Sequence, residues 1–379
     1  MGIGGAIGDI VDKMPNGVGA GRQIVGTDGD NRIEGTGGSD DILADPIPAD
    51  DSGGDDQVWG FAGDDRIYGF GGDNFLDGGP GDDEIQGGRN SDLLRGGPGN
   101  DEVRGGEGDD ALYGDAGDDR VIGSSGNDLV YGGVGIDQLE GREGVDRFAW
   151  ESAAEDRDTV LDFALAVDRL VIGDFLSGFS GDESDLERYV RFVAADGGSA
   201  SVLQVDRDGA GSAGWRELTL VAGQPSLSAL PLYQVGDLEL KGHAPAAPFG
   251  PLAYIASYDD LIGAFGADPA AGKLHYLATG HDEGRTVAFD GLQYIASYGD
   301  LIGTIGADRS AGADHFIRSG FGENRQRDTF DEVQYVANYA DLQAAFGDDY
   351  EAATRHYITE GHREGRTDQP LTAATDFIL

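Results

Sequence analysis

A nine-residue period governs the chain between Gly26 and Ala149. Eleven consecutive units run in register from Asp51 to Ala149, among them GFAGDDRIY, GFGGDNFLD, GGPGDDEIQ, GDAGDDRVI and GGVGIDQLE. Two more, GTDGDNRIE and GTGGSDDIL, precede them across a seven-residue insertion, ADPIPAD, from Ala44 to Asp50. Position four is glycine except at Asn90, and position six is Asp except at Asn31 and Asn74. Position eight is apolar throughout, from Ile33 to Phe148. One apolar side chain per unit cannot make a core alone, so units of this kind must stack. The glycines permit the positive φ angles and close backbone approach of tight turns. The last three residues mostly alternate polar, apolar, polar, which predicts a very short strand with one inward side chain. Two units then make one turn of a coil, with two thin parallel sheets and a row of turns on each edge. A disordered acidic linker would need no phased apolar position.

Charge decides what such a coil requires. The chain carries 71 acidic and 26 basic residues, a formal net charge of -45. Adjacent acids such as Asp82 and Asp83, or Asp109 and Asp110, repel by roughly 1 kcal/mol at about 4 Å in water, and by several times that near a protein surface. Stacking places the position-six carboxylates in columns beside turn carbonyls, so positive charge must come from elsewhere. Calcium accepts about 6–8 oxygen ligands at about 2.3–2.6 Å and suits such a cage. The same charge argues against nucleic acid or an anionic membrane as partner. There is no cysteine, which excludes disulfides and thiolate metal sites. No apolar run approaches the roughly 18 residues of a membrane span, so membrane insertion is not expected. The opening MGIGGAIGDIVDKMPNG lacks a basic n-region and does not read as a Sec signal; a secreted protein would need another export route.

These units resemble the repeat of RTX, or hemolysin-type calcium-binding, proteins, which form a calcium-bound parallel β-roll. The resemblance implies that each ion sits between turns two units apart on the same edge. One edge would then carry Asp56, Asp92, Asp110, Asp128 and Asp146, and the other Asp65, Asp83, Asp101, Asp119 and Asp137. Asn74 and Asn90 depart from the pattern, which puts the sites near them in question.

The period stops at Asp146. Alternation in Thr159–Phe163, Arg169–Ile172, Ser201–Val205 and Glu217–Val221 predicts β-strands that cap the roll. Through DTVLDF, DRLVIGDFL and SVLQVDRDG this segment resembles the type I secretion C-terminal target domain. Within it, Asp206, Asp208, Gly211 and Glu217 fall at positions 1, 3, 6 and 12 of an EF-hand-like loop, but Ala210 at position five and strand-like flanks favour an acidic β-turn. After the Pro/Ala-rich KGHAPAAPFGP, a second repeat of about 40 residues appears three times. It aligns Tyr254, Tyr294 and Tyr335, Asp260, Asp300 and Asp341, and His275, His315 and His356. Helical apolar spacing and Gly-rich turns predict a small α-helical array in which these side chains serve packing. The expected organisation is a lead-in (1–25), the roll (26–149), a β cap (150–222), a linker (223–250), three helical repeats (251–367) and a tail (368–379). The tail ends Asp376-Phe377-Ile378-Leu379, which resembles the acid-plus-apolar export motif of secreted RTX proteases.

Catalytic motifs are missing: there is no HExxH, no G-x-S-x-G elbow and no P-loop. Carboxylate pairs are already explained by the repeat. The expectation is therefore a mainly β, non-enzymatic, calcium-binding structural or surface-associated protein, exported by a type I transporter and located outside the cell. Self-association or a cell-surface polysaccharide would be its partner. An extracellular carbohydrate-binding or adhesive module is the alternative, and an RTX-bearing polysaccharide-modifying enzyme the third class.

Overall fold

The computed structural model describes residues 8–10, 22–46, 53–150, 157–173, 176, 179–180, 182–195, 197–206, 208–210, 214–224, 226–240, 249–281 and 283–370. Asp376 to Leu379 and most of the Pro/Ala-rich segment lie outside these residues. The chain divides into two compact units, Met1–Pro248 and Phe249–Leu379.

The first unit is a parallel β-solenoid. Each turn is two nonapeptides long, so strand partners lie 18 residues apart. Val103 sits opposite Ile85 on one side and Val121 on the other, and Leu112 sits between Leu94 and Val130. Alternate units feed two sheets of ten and eleven strands. All thirteen position-eight side chains, Ile33 through Phe148, are fully buried between them, each contributing about 1.5–3 kcal/mol. The strands are longer than the three residues the alternation predicts. Glu84–Arg89, Leu93–Pro98, Glu102–Glu107 and their successors to Gln138–Glu143 each span six. The strand runs on because position one of the next unit, two residues past the apolar side chain, also faces inward. Glycine there lets the ladder continue without filling the interior.

From Gly63 onward position four takes a left-handed backbone: Gly81, Gly99 and Gly117 have φ of 153°, 150° and 144°. Asn90 meets the same requirement at φ 69°, which Asn tolerates better than most side chains. The turn at this irregular unit is therefore kept. The insertion sits slightly later than the sequence alignment places it. Ala44 N donates to Tyr68 O at 2.8 Å, just as Gly60 N donates to Asp77 O, so Ala44 is position one and Asp45 position two, and the repeat resumes at Gly53. Partner offsets widen accordingly, as in Ile33 opposite Val58 and Ile42 opposite Ile67. Gly8–Ile10 and Gln23–Val25, ahead of the first expected unit, pair with Asn31–Ile33 and Asp41–Leu43 and add an outermost rung to each sheet.

At the other end both sheets are extended. Asp158–Val160 pairs in parallel with Gln138–Glu143, and Arg169–Ile172 with Arg147–Trp150. Trp215–Ala222, Ala200–Asp206 and Val190–Ala195 then close one sheet as an antiparallel meander. The stretch expected as linker from 223 contains a helix, Ala229–Val235, and a strand, Leu238–Leu240, that pairs with Arg169–Ile172. Its buried Leu232 and Tyr233 belong to this cap; the Pro/Ala composition that suggested a linker begins only afterwards.

The second unit consists of three helical repeats. Each has two short helices, then a third that continues into a π-helical turn: Pro251–Ala256, Asp259–Phe265 and Pro269–His275 with Tyr276–Gly280 in the first. Asp268, Asp308 and Asp349 cap the third helices. Tyr254, Tyr294 and Tyr335 are fully buried, and their hydroxyls meet Nδ1 of His275, His315 and His356 at 3.0, 3.0 and 2.8 Å. The π turn ends on a glycine because the tyrosine occupies the space: a Cβ on Gly280, Gly320 or Gly361 would lie 2.0–2.2 Å from that hydroxyl.

Two outcomes test this packing. A Cβ at Gly99 would fall 1.7 Å from Gly81 O, whereas one at Gly37 would meet nothing within 4 Å. Gly99→Ala should therefore destabilise the roll by about 2 kcal/mol or more, with Gly37→Ala nearly neutral, as read by thermal denaturation followed by circular dichroism. In the helical unit, Tyr294→Phe keeps the ring and loses the histidine contact, so a loss of about 1 kcal/mol is expected. Gly320→Ala, which displaces the whole ring, should cost more.

Candidate metal centre

Position six follows directly on the tight turn and begins the strand, so its side chain is held at the rim of the roll and buried by the turns above and below. Its backbone amide donates to Oδ1 of the position-six residue one turn further on. Asp83 donates to Asp101, Asp101 to Asp119, Asp92 to Asp110 and Asp110 to Asp128, at 2.7–2.9 Å. Two columns result. One runs Asn31, Asp56, Asn74, Asp92, Asp110, Asp128, Asp146, and the other Asp40, Asp65, Asp83, Asp101, Asp119, Asp137. The ten aspartates singled out in the sequence all stand in these columns. In each of them Oδ1 is satisfied and Oδ2 is buried with no hydrogen-bond partner.

The bare oxygens share their space with carbonyls. A Cβ on the position-one glycines Gly78, Gly87, Gly96 or Gly105 would come within 2.1–2.3 Å of the Oδ2 of its own unit and 2.7–2.8 Å of the position-one carbonyl of the next turn. Glycine thus keeps open a cradle of acceptors with no donor among them. Unpaired buried acceptors are costly, and burial pushes Asp92 and Asp101 up to about 8 and Asp83, Asp110, Asp119 and Asp128 up to about 7, although the amide hydrogen bonds oppose this. A cation reverses that preference for the neutral form. Among the described residues no three His, Asp or Glu side chains converge on one point. The donor set is instead a carboxylate oxygen from each turn together with backbone carbonyls, which suits a hard, high-coordination cation such as calcium and not zinc.

Where the columns are broken or end, the protein supplies its own donors. Asn74 Nδ2 donates to Gly71 O and Gly72 O at 3.2 Å each, and Asn31 Nδ2 reaches Thr27 O, Gly29 O, Ala44 O and Asp56 Oδ1. An Asp-to-Asn change at position six thus puts an N–H among the carbonyls that elsewhere face a bare oxygen. Asp40, near the start, accepts Arg22 N on one oxygen and Thr36 N on the other. At the far end, Asp158 and Asp168 receive the last rungs from Asp137 and Asp146. Their second oxygens accept Trp150 Nε1 and Ala164 N, both at 2.7 Å.

Sequence reasoning missed Asp158 and Asp168 because their spacing is 21 and 22 residues. The signal was present, since Asp158-Thr159-Val160 and Asp168-Arg169-Leu170 repeat the Asp-x-apolar tail of the unit. It also missed Asp45, fully buried with both oxygens unpartnered. The EF-hand-like stretch is a turn in its described part: Asp206 Oδ1 accepts Asp208 N, and Asp208 Oδ1 accepts Ala210 N. Glu217 pairs with Arg157 at 3.0 Å, and Gly211 lies outside the described residues. The aligned Asp260, Asp300 and Asp341 pair with Arg285, Arg325 and Arg366 at 2.9 Å each, exposed bridges of small individual worth.

A family model agrees with this geometry. The family model of the RTX calcium-binding nonapeptide repeat matches residues 23–46 and, in overlapping windows, 50–148. No curated protein matches the chain. Among solved structures it is similar to the extracellular lipase LipA from Serratia marcescens, at 19% identity and a TM-score of 0.25, over 61% of this chain and 42% of that one. It is also similar to the AlgE6R3 subunit of the mannuronan C5-epimerase from Azotobacter vinelandii, at 20% identity and a TM-score of 0.14, over 52% of this chain and 73% of that one. The chain therefore spans less than half the length of the lipase. Residues 23–46 and 50–148 are RTX calcium-binding repeats.

The column ends give a direct test. Trp150→Phe removes the indole N–H that donates to Asp158 Oδ2 within a fully buried site. It should destabilise the roll by about 2–4 kcal/mol, combining a lost charge-assisted hydrogen bond with lost volume. Thermal denaturation reads the change; a melting temperature within about one degree of the parent would show that the donor is dispensable.

Proposed function

We propose that this is a secreted, calcium-binding structural or surface-associated protein whose roll folds on calcium after export through a type I transporter. The observation that carries this reading is the pair of columns with ten buried carboxylate oxygens that no protein donor meets. Asp56, Asp92, Asp110, Asp128 and Asp146 on one edge, and Asp65, Asp83, Asp101, Asp119 and Asp137 on the other, would hold the ions together with turn carbonyls. The chemistry supplied by calcium is charge neutralisation. Because the oxygens are gathered only in the folded coil, metal affinity becomes folding free energy. In a calcium-poor cytosol the repeats would stay unfolded and pass a narrow conduit, and millimolar calcium outside would fold them. The Asp376–Leu379 tail is the proposed export signal. No helix among the described residues is long and apolar enough to cross a membrane.

The helical repeats are proposed to serve self-association or attachment to a surface polysaccharide. The support favours a scaffold over a platform of free aromatic rings. Tyr254, Tyr294 and Tyr335 are fully buried. Tyr258, Tyr298 and Tyr339 carry Arg285, Arg325 and Arg366 over their faces at 4.8–4.9 Å.

Circular dichroism of the full chain during calcium titration tests the central claim. β-Structure should appear cooperatively with calcium, and a fully β-rich spectrum in excess chelator would refute it. Asp101→Ala, with turns on both sides, should raise the calcium midpoint more than Asp56→Ala, which stands between the two asparagines.

A further inference from the structure

One column is short of negative charge near its start, where the position-six residues run Asn31, Asp56, Asn74 and Asp92. Further along, as between Asp92 and Asp110, successive turns each bring a carboxylate. Between the turns of Asp56 and Asn74 the repeat brings only one.

Asp45 lies at this place. It is position two of the same unit as Asp56, and it behaves unlike other position-two residues. Phe61 and Arg142 take φ of 73° and 75° there and point their side chains to solvent. Asp45 shares the absence of a positive φ with Thr27 and Thr36 at position two, but unlike them it is fully buried. Neither Asp45 oxygen, nor Asp56 Oδ2, makes a hydrogen bond of normal geometry; burial pushes the Asp45 carboxyl up to about 6 against the weaker opposing pull of the nearby Gly54 and Gly71 backbone. A Cβ on Gly53 would lie 2.0 Å from Asp45 Oδ2 and 2.7 Å from Gly71 O, and Gly71 belongs to the unit of Asn74. The Asp45 carboxylate therefore enters the turn pair from which the position-six carboxylate is missing, and its charge is felt by Asp56. A cation would hold these two buried carboxylates in the charged form that burial otherwise disfavours.

We propose that Asp45 completes a calcium site outside the repeat pattern, formed by the carboxylates of Asp45 and Asp56 with the carbonyl of Gly71, in which Asp45 replaces the carboxylate that Asn74 lacks. The proposal rests on the calcium reading of the columns. Asn74 Nδ2 donates to Gly71 O and Gly72 O at 3.2 Å each, which leaves Gly71 O its second lone pair for the ion on the Asp45 side of the turn.

Native mass spectrometry of the full chain at saturating calcium, with calorimetric stoichiometry beside it, tests this. Asp45→Asn should bind one ion fewer than the parent, with the affinity of the remaining ions changed by less than about two-fold. Adding Asn74→Asp to that variant restores a position-six carboxylate and should bring the ion back. An unchanged count in Asp45→Asn overturns the proposal, and so does a double variant that stays short. A parent chain that binds no calcium would instead overturn the reading of both columns.

Discussion

Along both edges of the roll, ten buried carboxylates have one oxygen tied to a backbone amide and the other facing only acceptors. The rest of the solenoid follows from keeping that arrangement possible. Glycine at position one holds open the cradle into which Oδ2 points. Glycine at position four, or Asn90 in its place, makes the turn that delivers position six to the rim. The amide-to-Oδ1 ladder fixes the spacing at one position-six side chain per turn in each column, and the position-eight side chain sets the register that keeps the column straight. Remove the negative charge and the geometry has no purpose; keep it without a cation and burial drives the carboxyls toward their neutral form. The cation requirement is therefore distributed along the edges and does not belong to a single site.

Solenoid caps are usually considered as covers for exposed strand edges and open cores. Here the cap also terminates an electrostatic column. Trp150 gives its indole N–H to Asp158, and the Ala164 amide gives its proton to Asp168, so the last carboxylate on each edge is fully satisfied by protein. Asp40 is closed at the opposite end by Arg22 and Thr36 amides. Within the column, the amides of Asn31 and Asn74 act similarly. The roll thus mixes turns that are complete in themselves with turns that need an external cation, and the choice is made by which atom stands at one position.

Much of this could be read from the residues because the repeat is strictly phased. Thirteen apolar positions and ten aspartates needed only a period to be placed, and each stands where the period puts it. What escaped had lost the period. Asp158 and Asp168 sit beyond loops that lengthen the turn, and Asp45 occupies a position that is ordinarily glycine or a solvent-facing side chain. The six-residue strands escaped because position one was read only as a turn residue, when its missing side chain is what lets the strand continue. The helix Ala229–Val235 lay within a stretch whose later Pro/Ala content dominated the reading.

The helical unit solves the problem of a short repeat in the opposite way. Each of its repeats carries a buried tyrosine, which the roll avoids, and gives that hydroxyl a histidine partner within the same repeat. Its helix starts use Asp268, Asp308 and Asp349 as caps, so these carboxylates face N–H donors and not one another. Between repeats, Ser257 accepts the amides of Ala288 and Phe289, and Ser297 that of Thr329. Acidic residues are common in both units, yet among the described residues only the roll holds buried carboxylate oxygens that meet no donor. Net charge alone therefore does not mark a calcium-dependent fold: the decisive quantity is how many buried carboxylate oxygens the backbone leaves without a proton to accept.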